Sequence, residues 1–115
     1  MATISEQGIH YQFIENKHKP VLVLAHPLGM NMRVWGYLVQ DLMVNFSILR
    51  YDLPGHGDSV AFPANTKSLG ESQLVDDLLT LCSSLGIDKF HFMGTSIGGM
   101  LGQQLLMSHP ERLLS

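Results

Sequence analysis

The sequence predicts an α/β fold built on a mostly parallel, doubly wound sheet, and three observations predict it. Val21 to Ala25 and Phe46 to Tyr51 are apolar runs without polar alternation, the pattern of strands covered on both faces. Between such runs lie segments whose apolar residues recur at three- and four-residue spacing, as on amphipathic helices. Short stretches of Gly, Pro and Asn punctuate the chain, so strand and helix alternate.

Taken in order, Thr3 to Ser5 and Ile9 to Ile14 read as a hairpin around Gln7-Gly8, followed by a turn through Glu15 to Pro20. After the strand Val21 to Ala25, the residues Val34, Trp35, Leu38, Val39, Leu42 and Met43 mark a first crossover helix over Val34 to Met43. Trp35 reads as its packing anchor. The strand Phe46 to Tyr51 follows. Ser68-Leu69-Gly70-Glu71 has the form of a capping box, and Leu74, Val75, Leu78, Leu79, Cys82 and Leu85 carry a second helix to a stop at Gly86. Lys89 to Met93 supplies another strand. Ile97 to His109 supplies a third helix, ended by Pro110, with Met100 and Met107 on one face as core filler. In such a sheet the ligand crevice lies beyond the carboxyl ends of the strands.

Composition narrows the function. The 115 residues, 45% hydrophobic and 15% charged, hold no repeat, low-complexity tract or linker, so one globular unit is expected over residues 1–115. A formal charge of -3, with seven Lys and Arg and no basic run, offers no footprint for nucleic acid or for an anionic membrane surface. The single Cys82 cannot form an internal disulfide and sits in a helical apolar pattern. With no basic-then-apolar leader at the N-terminus and no run of membrane-spanning length, a cytoplasmic location is expected.

The chemistry centres on Phe90 to Gln103, FHFMGTSIGGMLGQ. Ser96 falls on the turn between a predicted strand and a predicted helix. A Gly-x-Ser-x-Gly sequence in that context forms a nucleophile elbow, in which Gly94 and Gly98 relieve steric clashes and the serine hydroxyl is pushed above the sheet edge. The Ile97 N–H, in the first turn of the helix, would face a developing oxyanion. Gly102 would let the helix lie close to the sheet. A phosphate loop fits poorly, since Met100 stands where its lysine should be, and the dinucleotide Gly-x-Gly-x-x-Gly pattern is absent. No cofactor or metal is expected.

Two further loops also fall at strand ends. His26-Pro27-Leu28-Gly29 can supply a second amide donor, and since Pro27 has no N–H the candidate is Leu28. His26 reads as a packed histidine shaping that turn. Met30 and Met32, just beyond, are candidates to line a pocket. In Asp52-Leu53-Pro54-Gly55-His56-Gly57-Asp58-Ser59, Asp52 and His56 read as groups whose hydrogen bonds hold a rigid loop together.

The ordered series HPLG, RYDLPGHGDS and GTSIGG resembles the α/β-hydrolase superfamily, and with MLGQQLLMSHPERLLS it looks most like 3-oxoadipate enol-lactonases and related esterase-like members. The resemblance covers nearly the whole chain. It implies an eight-stranded, mostly parallel sheet, Ser96 as nucleophile, the Leu28 and Ile97 amides as oxyanion hole, and a small-molecule ester or lactone as substrate. Members of that superfamily are typically more than twice as long, with an acid and a general-base histidine after the elbow. Here the only later histidine, His109, stands at the far end of the helix, about 20 Å from Ser96 at ~1.5 Å per residue. The chain therefore reads as the N-terminal part of a hydrolase, with the later strands and the serine's partners missing. Alone, it is expected to be nearly inactive and to associate through an exposed sheet edge. Two other readings stay open, a non-catalytic binding or signalling protein of the same fold and an assembly-forming half-domain.

Overall fold

The computed structural model describes residues 2–60 and 70–115. Ten elements follow in chain order: β1 (Thr3–Ile4), β2 (His10–Ile14), β3 (Val21–Ala25), a 3-10 turn (Met32–Trp35), α1 (Gly36–Leu42), β4 (Ser47–Tyr51), α2 (Glu71–Ser84), β5 (His91–Gly94), α3 (Ile97–Ser108) and a second 3-10 turn (Pro110–Arg112). The strands form one sheet in the order β1-β2-β4-β3-β5. β1, β2 and β4 pair antiparallel, whereas β3 pairs parallel with both β4 and β5.

Both faces of the parallel part are covered, as the unbroken apolar runs require. Leu22, Leu24 and Ile48 point to one face and pack with Trp35 and Val39 from the first crossover. Val23, Ala25, Leu49 and Tyr51 point to the other, against Leu74, Val75, Leu78, Leu81 and Cys82 of α2 and Leu101 and Leu105 of α3. Val23, Leu24 and Ala25 have no exposed surface. At about 1.5–3 kcal/mol for each fully buried large aliphatic side chain, this central strand is a principal source of stability.

The first crossover is not one helix. Its first turn, Met32–Trp35, is 3-10 and is capped by Asn31, whose side chain accepts from the Arg33 N–H at 2.9 Å; the α-helix begins only at Gly36. The apolar spacing used above identifies a helical face but cannot separate a 3-10 turn from an α turn. α2 starts after Gly70, which makes no side-chain cap; Ser68 of the expected capping box lies outside the described residues. Gly86 follows α2 with φ +74, the left-handed conformation expected of a helix stop.

Two expectations are corrected. Met100 and Met107 are 52% and 79% exposed, so they are not core filler. α3 is apolar nearly all round, and the sheet selects the face carrying Gly98, Leu101, Gly102 and Leu105. The outer edge of β5 is also not bare. Phe90 bridges Leu113 in parallel, and the Leu114 N–H donates to the Phe90 carbonyl at 2.8 Å, so residues 113–115 pair along that edge.

Candidate active site

β5 ends at Gly94 and α3 begins at Ile97, leaving Thr95 and Ser96 to reverse the chain. The turn closes through the Gly98 N–H, which donates to the Thr95 carbonyl at 3.0 Å, and the Thr95 N–H donates to Ala25 at the end of β3 at 3.3 Å. A β-carbon on Gly94 would lie 2.3 Å from the Gly98 carbonyl oxygen, and one on Gly98 would lie 2.3 Å from the Ala25 carbonyl oxygen. Both approaches are to backbone, which cannot move aside cheaply. Helix and strand can therefore meet this closely only where both positions are glycine. Gly102 plays a lesser part, with the Phe92 ring 2.7 Å from where its β-carbon would be.

This geometry leaves Ser96 at φ 59, ψ -119, a conformation that costs a non-glycine residue of order 1–3 kcal/mol. The side chain is exposed, and its hydroxyl has no hydrogen-bond partner among the described residues. The amides of Ile97 and Leu28 likewise donate to no acceptor among the described residues. Ala25 and Gly94 are register partners at the ends of adjacent parallel strands, so the loops carrying Leu28 and Ser96 emerge side by side.

His26 is completely buried. Its Nε2 accepts from the Leu53 N–H at 2.9 Å, so the ring proton is on Nδ1, which donates to the Pro27 carbonyl at 2.8 Å. Burial holds this imidazole below its ordinary pKa, with nearby His56 in support, against opposing effects of the Pro27 carbonyl and Asp52. It is a neutral staple between two loops, in keeping with its sequence reading.

Asp52 fastens the same loops from the other side. Its Oδ1 accepts from the Met32 N–H at 2.8 Å and its Oδ2 from the Asp58 N–H at 3.0 Å, while His10 Nδ1 donates to Oδ2 at 2.7 Å. Burial would raise this carboxyl, but the two amides and His10 outweigh it and hold the group below the usual carboxylate range. Asp52 and His56 make no hydrogen bond to each other; His56 Nδ1 instead donates to the Pro54 carbonyl at 3.1 Å. The part played by His10, on β2, escaped the sequence reading because 42 residues separate it from Asp52 and no local pattern joins them.

The two methionines expected at the pocket part company. Met30 is 48% exposed, whereas Met32 is 4% exposed, with its N–H held by Asp52 and its carbonyl by Arg50 Nη1 at 3.1 Å. His109 caps the far end of α3 and contacts Ser108 Oγ, not Ser96.

A mixed sheet in this order, parallel where β4, β3 and β5 adjoin, with an outward serine on a two-glycine turn after its fifth strand, defines the α/β-hydrolase class of proteins. The chain belongs to the alpha/beta hydrolase fold family, whose model matches residues 20–115. Among curated relatives, "Putative carbamate hydrolase RutD" of Pseudomonas savastanoi pv. phaseolicola is 38% identical over 97 residues, covering 84% of this chain and 36% of the relative. 3-oxoadipate enol-lactonase 2 of Acinetobacter baylyi is 29% identical over 110 residues, covering 96% of this chain and 40% of the relative. The crystal structure of the enol-lactonase from Burkholderia xenovorans LB400 superposes with a TM-score of 0.83 at 34% identity, covering 91% of this chain and 40% of that one. The chain thus spans well under half the length of each.

Proposed function

We propose that these residues form the nucleophile-bearing part of a serine hydrolase that acts on a carboxylic ester or lactone, with 3-oxoadipate enol-lactone as one substrate of that class. The observation that carries this reading is the outward Ser96 at φ 59, ψ -119 between β5 and α3. Ser96 Oγ attacks the carbonyl carbon, and the Leu28 and Ile97 amides hold the resulting oxyanion. The intermediate expels the alkoxide to leave an acyl-enzyme, which water then hydrolyses. Each oxyanion donor is worth about 10²–10³ in rate. Of the two methionines named as pocket candidates, Met30 is the exposed one, and we assign contact with the acyl or alkyl group to it.

Among the described residues no histidine reaches Ser96, so the general base and its acid partner are assigned to residues beyond this chain. Loss of a triad member costs several powers of ten, and the 115 residues alone are accordingly expected to be nearly inactive. The test is labelling by a fluorophosphonate probe of the full-length gene product and of this chain, each beside Ser96→Ala. Labelling of the longer form alone, abolished by the substitution, supports the reading. Labelling of neither would favour a binding protein of the same fold.

A further inference from the structure

We infer that His26 is a positioning residue for the oxyanion hole, acting through the single peptide plane that joins Pro27 to Leu28. The inference rests on the assignment of the Leu28 amide proposed above.

A trans peptide is rigid, and its carbonyl and N–H point in opposite directions. Whatever fixes the Pro27 oxygen therefore fixes the direction of the Leu28 N–H. Two donors hold that oxygen, His26 Nδ1–H at 2.8 Å and the Met30 N–H at 3.2 Å, and they pull it to the inner side of the turn. The Leu28 N–H is thereby turned away from the loop and finds no acceptor among the described residues. Met30 closes the turn locally but cannot orient it against the rest of the protein. His26 can, because its whole side chain is buried just beyond the end of β3, and the Leu53 N–H, by donating to Nε2, keeps the ring proton on Nδ1. Nδ1–H thus carries orientation from the buried end of β3 to the plane that bears the oxyanion donor. An oxyanion hole works because its dipoles are aimed before charge develops. An imidazole with one proton, donor on one side and acceptor on the other, is suited to that aim.

Two amide substitutions separate the two sides of the ring. In His26→Asn the side-chain NH₂ can take the place of Nδ1–H on the Pro27 carbonyl, while the acceptor for Leu53 is lost. In His26→Gln the longer side chain can present its oxygen to the Leu53 N–H in place of Nε2, while the donor to Pro27 is lost. We expect fluorophosphonate labelling of the full-length product to slow about tenfold or more in His26→Gln and to stay within about threefold in His26→Asn. The Leu28 amide resonance, followed by selective ¹⁵N labelling, should shift in the first variant and hold in the second. Thermal melts show whether both are folded. If the two variants label at the same rate, or if Leu28 shifts equally in both, the positioning role is overturned while Ser96 remains the nucleophile. If the unsubstituted protein does not label, the hydrolase reading falls and this role falls with it. If His26→Gln does not fold, the inference stands or falls on whether His26→Asn retains the unsubstituted labelling rate and Leu28 shift.

Discussion

The carbonyl oxygen of Ala25 occupies the space that a methyl group on Gly98 would need, 2.3 Å from the position of its β-carbon. This contact locks the start of α3 against the end of β3, and through it the turn that displays Ser96. Gly98→Ala is expected to destabilise the fold by about 3 kcal/mol, since the clash is with backbone and the helix must back away. Gly99→Ala next to it is the control. Its β-carbon would find the Gly94 carbonyl oxygen at 3.5 Å, an ordinary contact, and the loss of backbone freedom in the unfolded chain should stabilise by about 0.5–1 kcal/mol. Urea denaturation of both variants reads the opposite signs.

Removing one donor of the oxyanion pair should reduce reactivity without loosening the fold. Leu28 is the second residue of the turn closed by the Met30 N–H on the Pro27 carbonyl, a position that accepts proline, and its own N–H makes no hydrogen bond within the described residues. Leu28→Pro is therefore expected to slow fluorophosphonate labelling of the full-length product by about 10²-fold with little change in melting temperature. An unchanged labelling rate would remove Leu28 from the site.

Acid should unfold the protein in two stages. Folded His26 takes up a proton less readily than the unfolded chain does, so its contribution is complete above its ordinary value of 6.5 and is lost as pH falls below that toward the folded value. Asp52 is held below its ordinary 3.8, so its contribution survives to that pH and is lost beneath it. Burial pushes Asp77 the other way, which opposes the second stage and leaves the first the clearer one. Melting temperatures should decline from pH 7.5 to pH 5, and His26→Asn, which has no proton to gain there, should flatten that decline.

Cys82 is fully buried and burial pushes its thiol up to about 12. It should resist iodoacetamide in the folded protein and react at the rate of a free thiol in urea. Alkylation that is fast without denaturant would mean that α2 opens readily.

A final prediction concerns association of this chain studied alone. A cavity of about 420 Å³ lies between β5, α3 and the last residues, lined by Phe92, Leu106, Pro110, Leu113 and Leu114, and Leu106 and Leu114 are about half exposed. Residues 113–115 cover only part of the β5 edge, and their own outer edge has no strand partner among the described residues. We expect copies to pair there. Size-exclusion chromatography with light scattering over a concentration series should show dimers or larger species; a single monomeric species throughout would refute it.

Much of this molecule was legible in the order of its residues. Unbroken apolar runs mark β3 and β4 because a strand buried on both faces has no polar side to declare. The glycines at 94 and 98 around Ser96 mark the elbow because only a backbone without side chains can pass so close to another. Both are properties of one local segment. What tertiary structure alone decided are relations between segments that no local pattern encodes: His10 reaching Asp52 across 42 residues, and the Leu53 N–H choosing the tautomer of His26. It also decided which side of the nearly all-apolar α3 faces inward, leaving Met100 and Met107 in solvent. Periodicity tells a helix that it has an apolar face, but only the surface it packs against can choose between two of them.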